Sequence, residues 1–244
     1  MCTVSVISVP GGFRVMVNRD ESVLREQATP PAWRKLLRGD GKVMQAMWPT
    51  DPTGGGTWLG ANERGLLLTL LNYNLETSPG VPMQMRKRAD GTNLRSRGEI
   101  IPQLLAHERC EEAAAALARS ELEHYGPFRL IAVDGGEAAR VLEMRWDMQR
   151  LDVREFVTPP VCFASSGLGD SLVRVRADLF AKMLGEADAV AAQRAFHEHQ
   201  WPHATHISVM MSRKGVQTVS VSEVEVRGGA VEFVYRDVPQ AGRE

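Results

Sequence analysis

Met1-Cys2-Thr3-Val4-Ser5-Val6-Ile7-Ser8-Val9-Pro10-Gly11-Gly12-Phe13-Arg14-Val15-Met16-Val17-Asn18-Arg19-Asp20-Glu21 is the stretch on which the architecture turns. Thr3 to Val9 is rich in β-branched residues, Pro10-Gly11-Gly12 is a turn, and Phe13 to Val17 resumes a strand, so the chain opens as a hairpin. The hairpin begins with a cysteine and ends in four polar residues. Initiator methionine is usually removed when the second residue is small, which would make Cys2 the mature N-terminus. A cysteine there carries nucleophile and base together, a thiol of pKa about 8.5 beside an α-amine of about 7.7–8.0. The amine can take the thiol proton directly or through a water, and a strand origin holds the sulfur in place. Arg19 beside such a thiol would favour thiolate and orient a carbonyl. Asp20 could accept a hydrogen bond from the α-amine.

Further along the chain, Pro30-Pro31, Gly39-Asp40-Gly41 and Thr50 to Gly56 read as loop. A second hairpin runs from Thr57 to Gly60, turns through Asn62 to Gly65 and returns over Leu66 to Leu71. The return strand is apolar on both faces, the mark of a strand buried between two layers. It runs into Asn72-Tyr73-Asn74, where a side-chain amide could act as an oxyanion donor. Apolar spacing then becomes helical over Glu99–His107 and Glu108–Leu122. Strands are predicted at Arg129–Val133 and Ala139–Trp146 about an Asp134-Gly135-Gly136 turn, and at Val161–Ser165. A long helical stretch covers Asp170 to about His197, and a meander closes the chain over His206–Met211, Val216–Val226 and Val231–Tyr235. Helices grouped between antiparallel hairpins predict one α+β domain over residues 1–244 rather than alternating βαβ units.

Composition excludes several classes. With 244 residues, 43% hydrophobic, 24% charged and net charge −1, the chain lacks the basic excess that nucleic acid demands. The basic run Arg86-Lys87-Arg88 reads as a solvated loop. No apolar run approaches the ~18–20 residues that span a bilayer, and the first residues lack the basic region of a secretory signal. Three well-separated cysteines, Cys2, Cys110 and Cys162, argue against a disulfide framework and for a reducing, cytoplasmic setting. Thr53–Thr57 is no phosphate loop and Gly167/Gly169 no dinucleotide site, so no cofactor is expected. Four of the six histidines fall between His197 and His206. His197 and His199 point apart on a helix and Pro202 prevents a helical His199/His203 pair, so the segment reads as a polar loop and no metal is expected. The oligomeric state is left open, a homo-oligomer included.

Five blocks occur in order: Met1-Cys2, Asn18-Arg19-Asp20-Glu21, Gly55-Gly56-Thr57-Trp58-Leu59-Gly60, Asn72-Tyr73 and Ser96-Arg97-Gly98-Glu99. Together they resemble the Asn-Arg-Asp-Glu family, also called the transport and Golgi organisation family. Gly60-Ala61-Asn62-Glu63-Arg64-Gly65 through Asn72-Tyr73 is also similar to choloylglycine hydrolases and penicillin V acylases. The resemblance implies an N-terminal-nucleophile fold, a four-layer αββα sandwich. It implies Cys2 as nucleophile, Arg19 and Asp20 in its support and Asn72 in the oxyanion hole, with Asn18, Trp58, Tyr73, Ser165 and His206 as candidate substrate-binding residues. The hydrolases place a further Asn after the midpoint, where this sequence has Ser165-Ser166-Gly167-Leu168-Gly169. Two functions are consistent with these blocks: hydrolysis of a small or acylated non-peptide amide, or non-catalytic binding and trafficking of a lipid, an acyl-CoA or haem in the same pocket.

Overall fold

A computed structural model describes residues 2–83, 93–135, 139–156, 158–185 and 188–239. The first half of the chain forms β1 (Cys2–Val9), β2 (Gly12–Ser22), β3 (Thr29–Leu37), β4 (Val43–Thr50), β5 (Leu59–Asn62), β6 (Leu67–Asn72), β7 (Glu76–Ser78) and β8 (Val81–Pro82), then helices α1 (Ile100–Leu104) and α2 (Cys110–Ala118). The second half forms β9 (Phe128–Asp134), β10 (Arg140–Trp146), β11 (Leu151–Phe156) and β12 (Val161–Ala164), helices α3 (Val175–Leu184) and α4 (Ala189–Glu198), and β13 (Ser212–Arg213), β14 (Val216–Arg227) and β15 (Ala230–Asp237).

Two antiparallel sheets carry the fold. One is ordered β12-β1-β2-β14-β13, with β15 also on β14; the other is ordered β11-β10-β9-β6-β5-β4-β3. The period of two in β1 sends Val4 and Val6 to the inner core against Leu67, Leu71 and Ile131 of the facing sheet. The alternate residues Thr3, Ser5 and Ile7 face α3 and α4. β6 is buried on both sides: Leu67 and Leu71 join the inner core, while Leu68 and Leu70 join an outer core with α1 and α2. Each such leucine stabilises the fold by roughly 1.5–3 kcal/mol. The layers are helix, sheet, sheet, helix, as the family resemblance implies.

Several elements depart from expectation. The stretch read as loop around Pro30 to Thr50 contains the β3–β4 hairpin, whose turn is the Gly39-Asp40-Gly41 segment. Pro30 and Pro31 are tolerated because β3 is the edge strand of its sheet, and the register shifts between Thr29 and Ala32 around them. β11 buries none of its residues, all of which are exposed or half-exposed, so it lacks the apolar run that marks the inner strands. The single helical stretch from Asp170 is broken into a 3₁₀ turn, α3 and α4, the last capped by Asp188, whose side chain accepts from Val190 N and Ala191 N. His206 does not begin a strand: it lies in a 3₁₀ turn, Thr205–Ile207. Residues 86–88 and Gly136 lie outside the described residues. Among the described residues no helix is long and apolar enough to cross a membrane.

Candidate active site

Cys2 opens β1 opposite Arg19 of β2 and is buried at 5% exposure. It is held from the other side by the residue that follows β12: Ser165 N donates to the Cys2 carbonyl at 3.0 Å, and the Cys2 nitrogen donates to Ser165 Oγ at 3.3 Å. That nitrogen would become the α-amine on removal of Met1. Burial pushes the Cys2 thiol up, and Asp20 adds to the rise while Arg19 opposes it.

The thiol borders a cavity of about 240 Å³ whose lining includes Arg19, Asp20, Trp58 and Asn72. Cys2 and Asn72 reach it from the ends of strands in different sheets, and Asn72 stays half-buried there. Arg19 is fixed twice over. Its guanidinium donates to Asp51 Oδ2 at 3.1 Å and lies 4.2 Å from the centroid of the Trp58 ring. Asp51 also accepts from Arg25 at 2.6 Å. Burial alone would raise the Asp51 carboxyl, but the Arg25 hydrogen bonds and the Arg19 charge hold it below the usual range. Trp58 Nε1 is buried without a hydrogen-bond partner among the described residues. A second cavity of about 260 Å³ lies beyond the shared wall of Arg19, Glu21 and Arg25 and reaches Tyr235 and Asp237.

The opposite rim joins two of the sequence blocks back to back. Thr57 N donates to the Gly98 carbonyl at 3.1 Å, and a Cβ on Gly56 would sit 2.4 Å from Gly98 C. Only glycine permits that approach. The contact brings Arg97 to the cavity, where its Nη1 donates to the Pro127 carbonyl at 2.8 Å.

Asp20 points from β2 toward the helix layer. Its Oδ1 accepts from Thr218 Oγ1 at 2.6 Å, and its Oδ2 lies 3.7 Å from Arg176 Nη1 of α3. Burial pushes its carboxyl up, against the charge of Arg176. Arg176 also donates to Thr3 Oγ1 at 2.5 Å, so a single buried guanidinium ties the residue after Cys2 to Asp20.

The Transport and Golgi organisation 2 family description matches residues 3–212. The chain belongs to this family. Cys2 lies one residue ahead of the matched segment. A Bos taurus Transport and Golgi organization protein 2 homolog is 30% identical over 117 residues, 48% of this chain and 37% of the relative; the match thus spans little more than a third of that relative's length. Among solved structures, a Caenorhabditis elegans N-acylethanolamine-hydrolyzing acid amidase ortholog superposes with TM-score 0.59 at 12% identity, over 98% of this chain and 100% of its own. A conjugated bile acid hydrolase variant from Clostridium perfringens gives TM-score 0.50 at 12% identity, over 97% and 92%. At such identities the likeness is one of fold, the N-terminal-nucleophile hydrolase fold.

Within this family member, the structure gathers Cys2, Arg19, Trp58 and Asn72 at one cavity, whose wall Asp20 joins while its carboxylate faces the helix layer. Ser165 touches the Cys2 nitrogen rather than the cavity. Three other expected substrate contacts lie elsewhere. Asn18 is buried beneath α4, its Nδ2 donating to the carbonyls of His197 and Val209, because its place in the pleat turns it away from Arg19. Tyr73 packs under Arg129, ring centroid to guanidinium 5.5 Å. His206 sits in its 3₁₀ turn on the helix side and is not among the cavity residues. Asp51, Arg25 and Arg176 escaped the sequence reading, since nothing local marks them. Arg97 was present in the Ser96-Arg97-Gly98-Glu99 block, and only its role was unread. Among the described residues no group of three His, Cys, Asp or Glu side chains is placed to hold a metal ion.

Proposed function

We propose that the chain is an N-terminal-cysteine amidohydrolase acting on a small or acylated non-peptide amide. After loss of Met1, the Cys2 α-amine takes the thiol proton and Sγ attacks the amide carbonyl carbon. The carbonyl oxygen gains the negative charge, which Asn72 Nδ2 stabilises by hydrogen bonding. The α-ammonium then protonates the leaving nitrogen as the C–N bond breaks, leaving a thioester that water hydrolyses. Ser165 Oγ holds the amine, Arg19 orients the carbonyl, and Asp20 steadies the N-terminus from the helix side.

One observation carries this reading: Cys2, with its nitrogen held at Ser165, and Asn72 meet from two sheets at one polar cavity. The volume of about 240 Å³ and its charged lining suit a small polar amide better than a lipid, an acyl-CoA or haem, which need roughly 300–1,000 Å³ of mainly apolar wall. The free thiols of all three cysteines fit a reducing, cytoplasmic setting.

The test begins with intact mass and limiting iodoacetamide. Loss of Met1 with labelling of Cys2 ahead of Cys110 and Cys162 is expected, followed by amide turnover that Cys2→Ala abolishes and Asn72→Ala lowers by about 10²–10³-fold. Retention of Met1 in the active protein, or turnover unchanged in Cys2→Ala, refutes the mechanism. Saturable apolar-ligand binding that survives Cys2→Ala, without turnover, would point to a carrier instead.

A further inference from the structure

Four arginines border the Cys2 cavity: Arg19, Arg25, Arg95 and Arg97. Three have carboxylate partners. Arg19 and Arg25 share Asp51 at 3.1 and 2.6 Å, and Arg95 meets Glu99 at 2.6 Å. Arg97 has no carboxylate within 4.0 Å among the described residues; its hydrogen bond goes to the neutral Pro127 carbonyl. Burial disfavours its charged form. A half-buried cation with no carboxylate in contact, and only the more distant charges of Cys2 and Glu21 acting in its favour, is costly unless an anion arrives from outside.

The backbone holds Arg97 in place, because the Gly56–Gly98 contact and the Thr57–Gly98 hydrogen bond pin the turn that bears it. With Nη1 committed to Pro127, the Nε/Nη2 edge remains, and two parallel N–H donors on that edge match the two oxygens of a carboxylate. We propose that Arg97 forms a carboxylate subsite in the Cys2 cavity, and that the amide cleaved there carries a carboxylate on its acyl or its amine half. This rests on the amidohydrolase reading for the cleavage, but not for the binding.

Binding is therefore measured on the catalytically silent Cys2→Ala chain. The probes are N-butyrylglycine, with a carboxylate on the amine half, succinamate, with a carboxylate on the acyl half, and neutral N-butyrylethanolamine and butyramide. At least one anionic probe should bind about tenfold tighter than its neutral counterpart, the worth of one charge-assisted contact, and which one does so names the half that carries the charge. The preference should vanish in Cys2→Ala/Arg97→Gln and persist in part in Cys2→Ala/Arg97→Lys. Equal binding of charged and neutral probes, no binding of either at millimolar concentration, or a preference that survives Arg97→Gln overturns the subsite.

A second readout separates the thiolate as the anion served. Should Arg97→Gln in the otherwise native chain raise the midpoint of the Cys2 alkylation pH profile while leaving probe selectivity unchanged, Arg97 serves the sulfur and the proposal falls. Anion preference in the Cys2→Ala chain without turnover by the native protein would sink the amidase reading and leave the subsite standing.

Discussion

His197 departs furthest from its sequence context. Read as part of a polar, histidine-rich loop, it is instead fully buried on α4. Asn18 Nδ2 donates to two backbone carbonyls, which turns Asn18 Oδ1 toward His197 Nδ1 at 2.7 Å. Nδ1 is thus the donor, and Nε2 accepts from Ser5 Oγ at 2.7 Å. Burial, with the nearby charges of Arg14 and Arg176, pushes the imidazole down to about 3. The unfolded chain protonates this residue near 6.5 and the folded chain does not until about pH 3. Its stabilisation is therefore complete above about 6.5 and is lost as pH falls through that window, by up to about 1.4 kcal/mol per pH unit. Urea melts of native protein and His197→Gln at stepped pH should show a flatter acid limb in the variant. Parallel limbs would mean that His197 is not the titrating group.

At the scale of elements, the Gly55-Gly56-Thr57 and Ser96-Arg97-Gly98 segments are a pair, though about forty residues part them in sequence. A methyl on Gly56 would meet the Gly98 backbone at 2.4–2.7 Å, and one on Gly98 would meet Thr57 N at 2.9 Å. Gly98→Ala should lower the urea-derived stability by about 1–3 kcal/mol and slow amide turnover as Arg97 moves. A variant with native stability and turnover would show that the rim tolerates separation. The block patterns marked both segments as special, yet neither signals the other, because a backbone-to-backbone contact leaves no periodic trace. The β3–β4 hairpin was missed for a related reason: β3, at the sheet edge, has only exposed and half-buried residues, and its prolines mimic a loop.

Across the whole molecule, the sandwich is asymmetric. α1 and α2 pack on their sheet through leucines, alanines and aromatics. The layer beneath α3 and α4 contains Thr3, Ser5, Arg14, Asn18, Asp20, Arg176, Gln193 and His197, all buried. Arg14 spans it, donating to Gln193 Oε1 at 2.6 Å and pairing with Glu223. Such a layer stays intact only when its charges are matched. Arg176→Met should cost about 3 kcal/mol, because it removes the guanidinium facing Asp20, and Arg176→Met/Asp20→Asn should recover part of that loss. Denaturant midpoints of the three proteins decide it, and a double variant no more stable than the single one would mean that the two charges do not depend on each other.

The α+β class, the hairpin that begins at Cys2 and the doubly buried β6 were legible because strand and helix periods are local properties, set by which faces of an element must leave water; the αββα order came from the family resemblance. Cys2, Arg19, Asp20 and Asn72 were legible as candidates because their blocks stand at the ends of strands. The partners of those residues were not legible. Asp51 beneath Arg19, Ser165 at the Cys2 nitrogen, Arg176 behind Asp20 and the turning of Asn18 away from the cavity depend on which strands become neighbours and which side of the pleat each residue takes. Those pairings join residues as far apart as 191 positions, as Asn18 and Val209 are. They arise from closing two sheets over one core, a contact that no local pattern encodes.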